Sequence, residues 1–263
     1  KYISKEQLNI KNNKIIVIDR SALEQSEADY FREEVRKRLY SKYGEENLYK
    51  EGLIVKTTLD NKYQKIANTA LVNGLINYDK RMGWRGPIAN IDLNLFKKDL
   101  YNKITNPFPN KWNLVIVTKK INDSIQVQYI NSNKDNIHFL NDNLWIDKNK
   151  IKIGDIFFTE KINNKLLIKQ IPKVNGAIIV IDPHSGKILS LTGGLSFKLS
   201  EFNRATQAKR QSGSAFKPFI YMAALTEGYT PSTLVLDAPF VIDQGPGLPK
   251  WKPSNYTKDF YGL

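Results

Sequence analysis

Ser214-Ala215-Phe216-Lys217 is a Ser-x-x-Lys, and that spacing occurs once in the 263 residues. On a helix, residues three apart lie on one side, so the lysine ammonium stands one turn from the serine hydroxyl. Pro218 cannot sit deep inside a helix, so the helix must begin within the few residues before it, where Gly213 frees the backbone. Ser214 is therefore expected at a helix N-terminus, where unpaired N–H groups and the helix dipole stabilise negative charge. A lysine that is dry and close to other cations gives up its proton more readily and serves as a base. These are the ingredients of an activated serine nucleophile. Spacing alone is weak: with 14 serines and 32 lysines, chance supplies roughly two such pairs.

Composition removes several other chemistries. The chain has no cysteine, so disulfides, thiolate metal sites and cysteine nucleophiles are excluded. Its two histidines, His138 and His184, cannot build a multi-histidine metal centre. Hydrophobic residues at 41% and aromatics at 11% are enough for a real core. The net charge is +14, and half of it falls within 81–172, which favours anionic partners without naming one. No apolar run is long enough for a membrane span, and KYISKEQLNI reads as a mature or excised end.

Several elements must carry the Ser-x-x-Lys. KIIVID (14–19) and LIVKTTL (53–59) read as strands, and a helix with a capping-box start at Ser26 is expected to end at Gly44. Asp60 is the expected N-cap of a second helix, closed by Gly83, whose apolar face is Tyr63, Ile66, Ala67, Ala70, Leu71, Leu75 and Tyr78. After a short helix around 92–102 come strands at 112–118, 124–130, 156–162 and 166–171, which suggests a small barrel or meander. GAIIVID (176–182) and KILSLT (187–192) flank Pro183-His184-Ser185-Gly186 and form a hairpin. Boundaries are placed near 81 and 173.

GAIIVIDPHSGKILSLTGG, FNRATQAKRQSGSAFKPFIYMAAL, GYTPSTLVLDAP and the later QGPG and KPSNY resemble, in order, the transpeptidase domain of class A penicillin-binding proteins of the 1A type. YFREEVRKRLYSKYGEENLYKEGLIVKTTLD and RMGWRGP are similar to that family's linker and early transpeptidase segment. The resemblance implies an α+β fold: a β-lactamase-like transpeptidase domain, incomplete here, interrupted by an all-β OB-like domain. Residues 1–80 would be linker and first transpeptidase segment, 81–172 the OB-like domain, and 173–263 the N-terminal part of the serine transpeptidase domain.

By the same resemblance, Ser214 would attack the penultimate D-alanine carbonyl of a peptidoglycan stem peptide and Lys217 would take its proton. An amine from a neighbouring stem would resolve the acyl-enzyme, and β-lactam antibiotics would trap the same serine. Asn203 and Arg204 are expected to brace the loop before Ser214, with substrate contact as the other reading. Trp251 either lines the groove mouth or packs. No metal or organic cofactor is implied. The family's place is the periplasmic face of the inner membrane, reached through an N-terminal anchor that these residues lack.

Two departures stand out. Ser212 occupies a position where the family commonly has proline, but it has no lysine three residues on. The family's Ser-x-Asn and Lys-Thr-Gly occur nowhere in the chain, so little crosslinking is expected unless a separate C-terminal half supplies them. The rival reading is a non-catalytic split-gene product or remnant that docks a cell-wall partner protein. Nucleic-acid binding through Trp112, Trp145, Tyr129 and Phe139 is disfavoured, because the two arginines of 81–172, Arg81 and Arg85, both lie at its edge. Trp84 and Arg85 in RMGWRGP are expected to be packing and domain-junction residues, with contact to substrate or a partner as the other reading.

Overall fold

The structure is a computed structural model that describes residues 27–50, 53–95, 104–121, 124–130, 137–139 and 145–263. The expected strand at 14–19 and the capping serine at 26 lie outside the described residues. The chain divides into two compact units, 1–208 and 209–263. The elements in this section belong to the first.

Helix α1 runs Asp29–Lys50, past the expected stop, because two helical pieces meet across Gly44, whose φ of 77° breaks the helix without ending it. Only its first turn is buried: Tyr30 and Phe31 join Ala28 and Leu191 in a small core. The rest is laced by short-range ion pairs such as Arg36–Glu33 at 2.7 Å and Arg38–Glu34 at 3.1 Å. Such exposed pairs contribute a few tenths of a kcal/mol each.

Helix α2 runs Asn61–Arg81, and the Asp60 side chain caps it by accepting from the Lys62 and Tyr63 N–H groups. The buried face is not quite the expected one. Gln64, Ala67, Leu71 and Asp79 are buried, whereas Tyr63, Ile66 and Tyr78 are exposed. The face rotates because Gln64 has a specific task. Its amide accepts from the Leu191 N–H at 3.0 Å and donates to the Leu191 carbonyl at 3.3 Å, pairing with a strand as a neighbouring backbone would. Residues 53–59 are extended but not part of a sheet: Thr58 Oγ1 donates to the Ile188 carbonyl, Leu59 packs beside Ile188 and Leu191, and the next residue, Asp60, donates its N–H to the Leu189 carbonyl.

The strand-rich stretch is an open antiparallel sheet. Its strands are β1 (Ala89–Asn90), β2 (Trp112–Ile121), β3 (Ser124–Tyr129), β4 (Ile137–Phe139), β5 (Asp155–Ile162) and β6 (Lys165–Lys169). The order is β1-β5-β2-β3-β4, with β6 beside β5 on the β1 side. Of the two expected forms, barrel or meander, the sheet is the open one: among the described residues the edges at β4 and at β1 and β6 do not close on each other. Curling is unnecessary, because both faces are already covered. Val115, Val117, Val127 and Phe157 point to one core, flanked by Trp84 and Trp145. Leu114, Ile116, Ile156 and Phe158 point to the other, flanked by Ile76 of α2 and Phe108. Burial on both sides is why these strands read as unbroken apolar runs. Trp112 is 2% exposed, so it offers no stacking face to a nucleic acid. Of the expected helix at 92–102, Leu93–Leu95 form a 3-10 turn, and 96–102 lie outside the described residues.

The hairpin forms as expected, from β7 (Ile178–Ile181) and β8 (Ile188–Thr192). Its turn closes through the Gly186 N–H to the Asp182 carbonyl at 2.9 Å, with Gly186 at φ 67°. The Asp182 carboxylate accepts from the Ser185 hydroxyl and the His184 N–H, which lowers its pKa. His184 is thus an exposed turn residue. His138 lies in β4, opposite Val127. No described helix is long and apolar enough to cross a membrane.

One buried carboxylate joins α2 to the sheet. Asp79 receives both Arg85 Nη1 contacts, at 2.9 and 3.0 Å, the Gln170 amide at 2.7 Å and the Lys173 N–H at 3.0 Å. Burial pushes its pKa up, but Arg85, Gln170 and Lys173 together outweigh that and hold it below the usual value. A depressed carboxylate stabilises the fold above its unfolded pKa of about 3.9, and that contribution is lost as the pH falls further. Urea unfolding followed from pH 6 to 2 should therefore show a flatter acid limb for Asp79→Asn than for the parent chain. At the sheet core, Phe157→Ala should cost about 3–5 kcal/mol in the same measurement at neutral pH.

Candidate active site

In the second unit, Gly213–Phe216 forms a 3-10 turn that runs directly into α3, Lys217–Thr226. Pro218 falls in the first turn of α3, where its missing N–H costs nothing. The α-helix proper thus starts at Lys217, and Ser214 sits one tight turn earlier than an α-helical reading places it. Gly213 makes the turn possible at φ 53°, a value that a side chain would strain. The Lys217 N–H bonds to the Ser214 carbonyl, and the Ala215 N–H bonds to Ser212 at 3.2 Å. Residues three apart eclipse in a 3-10 turn, so Ser214 and Lys217 project from one side. Both are exposed, and neither side chain makes a hydrogen bond or ion pair with the described residues. Ser212 has helical backbone angles, and its hydroxyl makes no capping bond.

Trp251 bridges to Ile242 through paired backbone hydrogen bonds of 2.9 Å and meets the Phe240 ring edge-on at 5.8 Å. It remains 48% exposed. The nearby chain is tied down by Asp237, which accepts from Asn255 Nδ2 at 2.8 Å and from the Tyr261 N–H at 2.9 Å. The sequence reading missed this clamp, which has no local spacing signal because its members are 18 and 24 residues apart.

Asn203 and Arg204 belong to the first unit and are joined through Gly193-Gly194. Asn203 is 4% exposed. Its Oδ1 accepts from the Ala205 N–H at 3.1 Å, and its backbone N–H donates to Gln207 Oε1 at 2.7 Å. Its Nδ2 is buried without a partner. The Arg204 N–H bonds to the Gly193 carbonyl at 3.0 Å, and its guanidinium lies 5.5 Å over the Phe202 ring.

Residues that the sequence reading did not single out hold this loop. Tyr30 donates to the Ser200 carbonyl at 2.7 Å, and Thr206 Oγ1 donates to Glu34 at 3.1 Å. Burial raises the Tyr30 pKa to about 12, against a small opposing pull from Arg204. The available signal was Gly193-Gly194. A Cβ on Gly193 would collide with Asn203, and one on Gly194 with the Tyr30 hydroxyl.

The Penicillin binding protein transpeptidase domain family matches residues 176–260, which take in the hairpin, Asn203, Arg204, Ser214, Lys217 and Trp251. Penicillin-binding protein 1A of Rickettsia typhi is 38% identical over 99% of this chain and 34% of its own length. The protein of the same name from Haemophilus influenzae is 34% identical over 100% of the chain and 31% of its own length. The chain belongs to the penicillin-binding protein 1A family. A 2.6 Å crystal structure of penicillin-binding protein 1A from Haemophilus influenzae matches with a TM-score of 0.74 and 33% identity, covering 89% of this chain and 36% of that one. The chain therefore spans about a third of the length of these penicillin-binding proteins.

The close approach at Gly193 makes a direct prediction. Gly193→Ala should expel the Asn203 side chain and lower stability by about 1–3 kcal/mol in urea unfolding. Asn203→Ala should cost less, since it also removes an unpartnered buried amide.

Proposed function

We propose that this chain is part of a peptidoglycan D,D-transpeptidase in which Ser214 is the acylated nucleophile and Lys217 its base. The observation that carries the proposal is the 3-10 turn. It puts the serine and the lysine on one side, at the start of α3, with Gly213 releasing the backbone just before them. Ser214 Oγ attacks the carbonyl carbon of a stem peptide's penultimate D-alanine while its proton passes to Lys217 Nζ. The terminal D-alanine leaves with a proton, and an amine of a neighbouring stem then displaces the serine and forms the crosslink. The Ser214 N–H supplies one donor to the oxyanion. β-Lactams acylate the same oxygen as their ring opens.

Asn203 and Arg204 act by holding the loop that precedes the nucleophile, and the half-exposed Trp251 side chain is the one offered to substrate. No metal or organic cofactor takes part. The site works at the periplasmic face of the inner membrane. The 263 residues contain neither Ser-x-Asn nor Lys-Thr-Gly, and the groups of such a site act as a unit. Alone, the chain therefore crosslinks little. The unpartnered Ser214 and Lys217 side chains fit that reading.

The test is covalent labelling with a fluorescent penicillin, read on a denaturing gel. The expected result is weak labelling of the chain alone and stronger labelling once a polypeptide carrying Ser-x-Asn and Lys-Thr-Gly is added. Ser214→Ala should abolish both. Label that persists in Ser214→Ala would remove Ser214 as the nucleophile. Strong labelling of the chain alone would overturn the weak-activity clause.

A further inference from the structure

The six-stranded sheet leaves and re-enters the chain through two linkers, 82–88 and 170–177, and both are gathered at the side chain of Asp79. From the outgoing linker, Arg85 grips both carboxylate oxygens at 2.9 and 3.0 Å. From the returning linker, the Gln170 amide and the Lys173 N–H bind at 2.7 and 3.0 Å. The linkers also bind each other. Arg85 Nη2 donates to the Ile171 carbonyl at 2.7 Å, the Arg85 N–H to Gln170 Oε1 at 2.8 Å, and Gln170 Nε2 to the Gly83 carbonyl at 3.3 Å.

Beside this ring, Lys80 lies 5.5 Å over the Trp145 ring, and Ile76 packs on one face of the sheet. The other end of α2 is bound as firmly to the hairpin: Gln64 to Leu191, and Asn68 Oδ1 to Thr192 Oγ1 at 2.6 Å. Helix α2 is thus a strut of about 30 Å, with the hairpin at one end and the sheet at the other.

The sheet has its own core on each face, built mostly from residues within 112–168, so its fold does not depend on the Asp79 ring. We propose that Asp79 is an orientational latch that sets the angle of the six-stranded sheet on α2, and hence relative to the hairpin and the Gly193–Gln207 loop. Opening the latch frees the sheet to swivel on its two linkers while the sheet and α2 each stay folded. Truncating one member leaves a charge or amide buried without its partner, and the ring then opens as a unit.

The chain contains no cysteine, so spin labels attach only where cysteines are introduced. Lys62→Cys on α2 and Lys165→Cys on β6 are both exposed, and pulsed electron spin resonance reads the distance between them. The parent should give one narrow distribution. Asp79→Asn and Arg85→Met should each broaden it at least twofold or add a second distance, well below the melting temperature and with unchanged far-ultraviolet circular dichroism. An unchanged width with a lowered melting temperature would make Asp79 a stabilising residue only and overturn the latch. If Asp79→Asn does not fold, Gln170→Leu decides. It keeps the Arg85–Asp79 ion pair and removes the three Gln170 bonds of the ring, to Asp79, the Gly83 carbonyl and the Arg85 N–H, so broadening supports a ring that opens as a unit and an unchanged width overturns it. The experiment needs no catalysis, so its outcome is independent of the transpeptidase reading.

Discussion

A carboxylate that is buried and ionised must be surrounded by donors, and at Asp79 the donors come from two segments, Arg85 just after α2 and Gln170 with Lys173 more than 90 residues on. Meeting that requirement brings the end of α2, the loop after it and the strand exit at 170–173 to one point. The sheet can then be long and open, because its attachment does not rest on an extensive apolar contact with α2. The same helix meets the hairpin with another polar device, the Gln64 amide paired to the Leu191 backbone. Both ends of α2 are therefore specified by hydrogen bonds, which define angle and register more sharply than apolar packing does.

The sheet solves a different problem. Strands β2 and β5 are apolar on both sides, which would be unstable in a sheet with one wet face. Here the second face is covered by Ile76, Ile91, Phe108 and Ile171, and the first by Trp84 and Trp145 as well as by its own loops. A barrel is one way to cover such strands, and borrowing residues from flanking segments is another. Two of the aromatic residues that a nucleic-acid reading required are part of this covering: Trp112 lies in the core and Trp145 under Lys80.

The Ser-x-x-Lys turn and the Asn203 loop differ in how far their causes reach. Ser214 and Lys217 are placed by their immediate neighbours: Gly213 admits the positive φ, Pro218 sets the first helical turn, and the 3-10 geometry aligns positions three apart. Asn203 is placed by a long-range fit, in which two glycines let Tyr30 and Asn203 approach a backbone that any side chain would hold away.

What the sequence determined alone is what short-range physics controls: the Asp60 cap, the hairpin and its Gly186 turn, the four long strands and the Ser-x-x-Lys turn. Each depends on residues within a few positions, so pattern and turn chemistry suffice. The tertiary structure decided the rest. It chose which face of α2 is buried, because Gln64 had a distant backbone to pair with. It let α1 continue past Gly44 and kept 53–59 out of the sheet. It left the strand-rich region open, since closure depends on what covers the faces and period-two patterning does not encode that. It also assembled the ring around Asp79, whose members have no spacing in common and meet only because a buried charge needs all of them.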